Sequence, residues 1–240
     1  MFPFELELYE NTRVEANFWG HPLVKENHFE ETVQRFRATI LTAPENKVVT
    51  LAPGSRPSEI HQHIPVMLEA VRRGDFQNID FFLPLADGLD FQAFLDQMRE
   101  LPIKVLKGKF EECIAASDAA IVASGTASLQ AGLAIVPYVL IYRVSPISFW
   151  IAQKLALVPF LGILNLLAKK QVVKELLQND FTPENLIKEL RNILANAETN
   201  QRIRNEMRRV REILGQPGAY QRAADDYLEY IFRISGPQTS

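Results

Sequence analysis

Two stretches of this chain share one design, and that design restricts the fold more than any other feature. One is KVVTLAPGSR at residues 47–56; the other is AAIVASGTASL at residues 119–129. Each opens with a near-continuous apolar run, at 48–52 and 119–123, as a strand covered on both faces requires. Each then turns through small residues around one glycine, Pro53-Gly54-Ser55-Arg56 and Ser124-Gly125-Thr126. A helix follows, starting near Ser58, which is placed to cap it, and at Ala127. Such turns bring backbone close to a ligand and aim unpaired N–H groups and the positive dipole end at it. Arg56 adds a planar fork of donors suited to phosphate. If both strands are parallel in one sheet, both turns lie at its carboxyl edge, where α/β sheets bind ligands. Two anion-friendly turns on one edge suit a diphosphate, as in a nucleotide sugar. The plain alternative is a pair of ordinary capped loops, with Arg56 paired to Glu59 at the surface.

The remaining pattern fits around these strands. Phe29, Val33, Phe36 and Ile40 recur at helical spacing, as do Ile60, Ile64, Met67, Leu68 and Val71, with Pro65 inside that helix and Gly74 closing it. Short strands are predicted at 79–83, 103–106 and 138–142, and helices at 91–100 and 110–116. The alternation predicts an α/β, Rossmann-like, doubly wound parallel sheet. From Thr182-Pro183-Glu184, a capped helix start, the chain reads as helical almost throughout.

Bulk properties exclude several classes. A net charge of −3 argues against a general nucleic-acid binder. The lone Cys113 permits no internal disulfide, which fits a reducing cytosol, and its helical apolar company makes it a packing residue. MFPFELELYE does not read as a signal peptide. The apolar stretch 146–167 is broken by Gln153, Lys154, Pro159, Gly162 and Asn165, so it reads as a poor transmembrane span. Its aromatic residues Phe149, Trp150 and Phe160, mixed with Lys154, suit a membrane surface; packing on the sheet or on a partner is the alternative. Arg202, Arg204, Arg208, Arg209 and Arg211 read as a solvated helix, with anionic lipid contact as the sharper reading. His61 and His63 are two apart on a helix and do not chelate one metal; no Asp-x-Asp pair is present to hold a divalent cation, so neither metal nor cofactor is expected.

FWGHPL, LAPGSRPSEI, ASGTASLQAGLA, YRVSPISFWIAQKL and ILNLLAKKQVVKELLQ, in this order along the chain, resemble the lipid-A-disaccharide synthase family, two-domain GT-B glycosyltransferases. The resemblance implies the carboxyl-terminal, donor-binding half. Residues 1–20 would be the end of the family's first domain and the crossover, 21–180 the donor-nucleotide-binding α/β domain, and 181–240 carboxyl-terminal helices. It implies transfer of 2,3-diacylglucosamine from UDP to 2,3-diacylglucosamine 1-phosphate, without metal. The general base and acceptor pocket are expected in the family's amino-terminal half, supplied by a missing domain or a second chain; a homodimer stays open. The location implied is cytoplasmic, at most peripheral on the inner face of the inner membrane.

The UDP contacts implied are Ser55, Arg56 and Glu59 in the first turn, and Ser124, Gly125, Thr126, Ala127 and Ser128 in the second. Gln130 stands where relatives often carry a ribose-binding glutamate; its amide oxygen can still accept, without charge. Tyr142 and Arg143 end a strand at the same edge. Asn165 and Glu175 match two polar positions of the family, although Lys169-Lys170 replaces its usual Gly-Arg. Asn165 needs a partner if buried, and Glu175 sits on an expected helix. Two other readings remain: another UDP-sugar enzyme of this architecture, or a non-catalytic remnant that binds nucleotide or a partner.

Overall fold

Apolar runs joined by amphipathic helices can pair in parallel, because each helix carries the chain back across the sheet. The computed structural model, which describes residues 2–25, 30–86, 92–144 and 159–235, has this arrangement. By backbone contacts, residues 28–208 form one unit; residues 1–27 with 209–240 form another.

The first unit holds a parallel six-stranded sheet among the described residues. Its strands are β1 (Lys47–Ala52), β2 (Ile79–Leu85), β3 (Ile103–Lys107), β4 (Ala119–Ala123), β5 (Tyr138–Tyr142) and β6 (Glu175–Leu177). The order is β3-β2-β1-β4-β5-β6. The helices are α1 (Glu30–Ile40), α2 (Pro57–Arg73), α3 (Gln92–Arg99), α4 (Phe110–Ala115), α5 (Thr126–Leu133), α6 (Ile163–Ala168) and α7 (Pro183–Ala195), and α8 (Ala197–Ile213) starts in this unit. β4 is buried along its whole length, and β1 everywhere but at Lys47, as strands covered on both faces must be. The α1 residues Phe36 and Ile40 pack against Val48, Phe82 and Cys113.

Polar groups lock the amino-terminal edge. The buried Asp80 carboxylate accepts from the Thr42 amide (2.7 Å), the Thr42 hydroxyl and Asn46. Asp118 accepts from the Val48 amide and pairs with Arg37. Thr182 caps α7 through the Asn185 amide, as expected, and α7 buries Leu186, Leu190 and Ile193.

Two local expectations are corrected. Residues 175–177, expected as helix, form β6 paired with β5, because a fourth-side edge strand satisfies the β5 backbone there. Arg204 is not a solvated charge: its guanidinium donates to the carbonyls of Ile135 (2.6 Å) and Asp118 and to the Asn200 side chain. The expected lipid-facing residues Phe149, Trp150, Leu155 and Leu157 lie outside the described residues. Among the described residues no helix is long and apolar enough to cross a membrane.

In the second unit, a 3-10 helix (Pro3–Leu8) and α9 (Ala219–Ser235) are the named elements. Arg222 holds the Trp19 carbonyl with Nε and a terminal nitrogen, at 2.8 and 2.6 Å. The Trp19 indole N–H donates to Asp226. His21 donates its amide to the Leu214 carbonyl.

Candidate functional site

The strand order locates the site before any side chain is considered. From β1 the chain winds outward through β2 to β3; from β4 it winds the other way, through β5 to β6. β1 and β4 are therefore the neighbours between which the winding reverses. A crevice opens there at the carboxyl edge, because helices leaving the two strands depart on opposite sides. Ala52 is in register with Val122, so the turns 53–56 and 124–126 emerge side by side.

These turns line one cleft of about 490 Å³. Its walls include Gly54, Ser55, Arg56 and Glu59 from the first turn and its helix, and Ser124, Gly125, Thr126, Ala127 and Gln130 from the second. Pro84, Leu85 and Ala86 at the end of β2, with Gly108 and Phe110 after β3, extend the wall. Sequence reasoning did not place this third segment. Its only signals are Gly108 and an aromatic residue behind a strand end.

The first turn is built by Glu59. Gly54 takes φ +112°, and a Cβ there would lie 2.2 Å from a Glu59 carboxylate oxygen. That oxygen, Oε2, accepts from the amides of Ser55 (3.1 Å) and Arg56 (3.3 Å). Arg56 is the N-cap of α2, with Pro57 as its first residue, so the expected cap at Ser58 is displaced by two positions. The reason is that Glu59, not Ser58, satisfies the leading amides. This carboxylate thus occupies two amides that were expected to face a phosphate. The Arg56 guanidinium meets Glu59 Oε1 at 3.3 Å while its side chain stays 78% exposed, a contact too solvated to hold it firmly.

The second turn is open. Gly125, at φ +142°, is the N-cap of α5, and a Cβ there would meet nothing within 4 Å. Thr126 and Ala127 are the first helical residues, whose amides have no helical carbonyl to reach. The Ser124 amide donates to the Ile141 carbonyl and anchors the turn to β5. Ser128 is buried, and its hydroxyl donates to the Gly125 carbonyl at 2.8 Å; it braces the turn from behind and does not line the cleft. Gln130 lies at the wall, with its amide nitrogen 3.4 Å from Glu111 Oε1.

The other expected residues are not among those that line this cleft. The Arg143 guanidinium donates to the carbonyls of Gln178 (3.0 Å) and Phe181 and sits 4.9 Å above the Phe181 ring. Tyr142 is half-buried at the end of β5. Asn165 is wholly buried: its oxygen accepts from the amides of Val172 and Val173, and its nitrogen donates to the Val173 carbonyl and to Glu175 (2.7 Å). Glu175 also accepts from the amides of Leu161 and Gly162, both at 3.0 Å. Among the described residues no group of acidic, histidine or cysteine side chains could hold a metal ion.

The model of the family described as lipid-A-disaccharide synthetase matches residues 1–231. The chain belongs to that family. Lipid-A-disaccharide synthases from Anaeromyxobacter dehalogenans (strain 2CP-C) and Myxococcus xanthus (strain DK1622) are 36% and 34% identical to it over 233 and 235 residues. These alignments cover 95% and 96% of this chain but 61% of each relative, so this synthetase-family chain spans about three-fifths of the relatives' length. The fold is shared with solved glycosyltransferases. Anabaena Alr3699/HepE, in complex with UDP-glucose, superposes with a TM-score of 0.53 at 18% identity, over 92% of this chain and 58% of that one. WaaG, a glycosyltransferase involved in lipopolysaccharide biosynthesis, gives 0.55 at 15%, over 82% and 51%. The Rossmann-like α/β expectation and the GT-B likeness both hold.

Proposed function

We propose that this chain is the donor-binding half of a lipid-A-disaccharide synthase, and that the cleft between β1 and β4 holds the diphosphate of a UDP-diacylglucosamine. One observation carries the reading: Arg56 and Gly125, from turns 69 residues apart in sequence, line the same cleft at the switch point of the sheet. The reaction would transfer 2,3-diacylglucosamine to 2,3-diacylglucosamine 1-phosphate. An acceptor hydroxyl attacks the anomeric carbon and its proton passes to a base. The bond from that carbon to the β-phosphate oxygen breaks, and UDP leaves with the electron pair. Charge grows on the leaving phosphate. The Arg56 guanidinium and the leading amides of α5 lie on the cleft wall, where they can stabilise it. For a phosphate to take the guanidinium it must displace only the long, exposed contact to Glu59; Ser55 and Glu59 then act by shaping the turn.

The acceptor site and the base would come from the part to which the rest of the relatives' length corresponds. Residues 1–20 as crossover, 21–180 as donor domain and 181–240 as carboxyl-terminal helices remain the proposed division. A cytoplasmic position at a membrane surface is part of the same proposal. Calorimetry of the purified chain with UDP tests it: binding is expected, with little or no transfer of sugar by the chain alone. No binding of UDP overturns the nucleotide reading, and a full-rate transferase assay overturns the claim that this is only the donor half.

A further inference from the structure

Among the buried polar side chains, His63 is the one that touches the root of the first turn. It is fully buried on α2, two turns in from the cleft. Its Nδ1 lies 2.6 Å from the Pro53 carbonyl, and its Nε2 accepts from the Arg143 amide at 3.1 Å. Pro53 offers only an acceptor, and the Arg143 backbone offers only a donor. The two partners therefore dictate one state of the ring: neutral, with the proton on Nδ1. Pro53 leads directly into Gly54, and Arg143 directly follows β5. β1 and β5 are not neighbours, since β4 lies between them. The imidazole thus straps the first turn across β4 to the far strand. Phe181 closes the ring in edge-on at 5.5 Å, and Arg143 in turn is held over Phe181.

We propose that His63 is the positioning residue of the donor cleft: as a neutral imidazole it holds the Pro53–Arg56 turn against the second turn, and its protonation loosens the grip on the diphosphate. This deepens the UDP reading above and rests on it. Protonation would put an N–H on Nε2 facing the N–H of Arg143, two donors with no acceptor between them. Burial favours the neutral form in the fold and lowers the affinity of His63 for a proton, with the Pro53 contact opposing. Of the charges acting on the ring, Glu59 on α2 favours the imidazolium and Arg143 after β5 disfavours it. The sign follows: a histidine that is harder to protonate folded than unfolded keeps its contribution above about pH 6.5 and loses it as pH falls below that value.

The test is calorimetric titration with UDP-N-acetylglucosamine from pH 8 to pH 5. Its diphosphate is a diester with no ionisation in that range. For the wild-type chain, affinity should hold down to about pH 6.5 and fall only further below it, where the buried imidazole takes its proton. His63→Asn keeps an N–H for Pro53 but neither accepts at the Nε2 position nor titrates. It should bind more weakly at pH 7.5 and show a flat profile. His63→Ala should weaken binding at pH 7.5 on the order of tenfold, the loss of one hydrogen bond's worth of positioning. Wild type and variant differ only at residue 63, so the difference between their profiles reports that side chain. A pH slope in His63→Asn equal to wild type overturns the proposal, and so does wild-type affinity that is level across the range. If His63→Ala does not fold, the asparagine profile decides alone. Wild-type binding with no pH slope sinks this inference and leaves the UDP reading standing; no wild-type binding at pH 7.5 sinks both.

Discussion

At the carboxyl ends of β1 and β4, Arg56 keeps a solvated guanidinium, and Thr126 and Ala127 start α5 at the wall of the cleft. At the ends of β5 and β6, the same residue types are closed in upon themselves. Arg143 is bonded to two carbonyls, and Asn165 and Glu175 satisfy one another and five backbone groups. Both edges carry an arginine, a carboxylate and amide donors, so residue type does not separate them. What separates them is where the polar atoms' partners come from. At the β5–β6 edge a loop folds back and supplies every partner from within the chain. At the β1–β4 edge the winding reverses, as at the crevices where α/β sheets bind ligands, and the Arg56 guanidinium stays largely exposed. Polar patterning therefore marks two places, and they differ in how far their polar groups are already satisfied within the chain.

This contrast can be broken at either edge. The largest effect is expected from Asn165→Ala, which leaves the amides of Val172 and Val173 buried without their acceptor. Urea denaturation should show a loss of about 3 kcal/mol or more, with UDP affinity unchanged in the folded fraction. A large affinity loss with little change in stability would move Asn165 into the ligand site. Arg56→Ala should do the reverse, weakening UDP by about 1.5–3 kcal/mol, roughly ten- to a hundredfold, with the urea midpoint nearly constant. Gly125→Ala forces an L side chain into φ +142° and should lower stability by about 1–2 kcal/mol while shifting the α5 amides, so that UDP weakens as well. Glu175→Gln keeps an oxygen for the loop amides but removes the charge. It should lower stability by about 1 kcal/mol and leave UDP affinity alone. The smallest readout is Cys113, whose thiol burial pushes up to about 12. A thiol reagent at pH 8 should modify it only as fast as the chain unfolds, whether or not UDP is present at saturation; fast labelling of the native chain would contradict the packing role.

Much of this was legible in the residues. The apolar runs before PGSR and SGT announced β1 and β4 because a strand buried on both faces cannot alternate. The glycines at 54 and 125 marked the turns because each backbone there takes a positive φ that an L side chain resists. Glu175 was misplaced on a helix because ELLQ has no period long enough to distinguish three strand residues from one helical turn. Arg143 and Asn165, expected as UDP contacts from the resemblance, have partners within the chain; a polar residue at a strand end or in an apolar run needs a partner, and the partner is named only by the fold. His63 was set aside as one of two histidines on different helix sides; nothing local says that its two ring nitrogens would meet a carbonyl at 53 and an amide at 143. The pairing of residues 1–27 with 209–240 was equally invisible, because contacts such as Arg222 to Trp19 span about 200 residues of chain.

By itself the sequence determined the elements, their parallel alternation and the two anion-seeking turns, because these depend on periodicity, caps and backbone freedom within a dozen residues. It also determined the family, through blocks that stand in one order. Only the tertiary structure decided that the turns share a crevice, that Glu59 takes two of the expected phosphate amides, and that Arg143, Asn165 and Glu175 support the fold from the neighbouring edge. The physical reason is that a polar group's availability depends on every partner within about 3 Å, and in a parallel sheet those partners come from strands far apart in the chain.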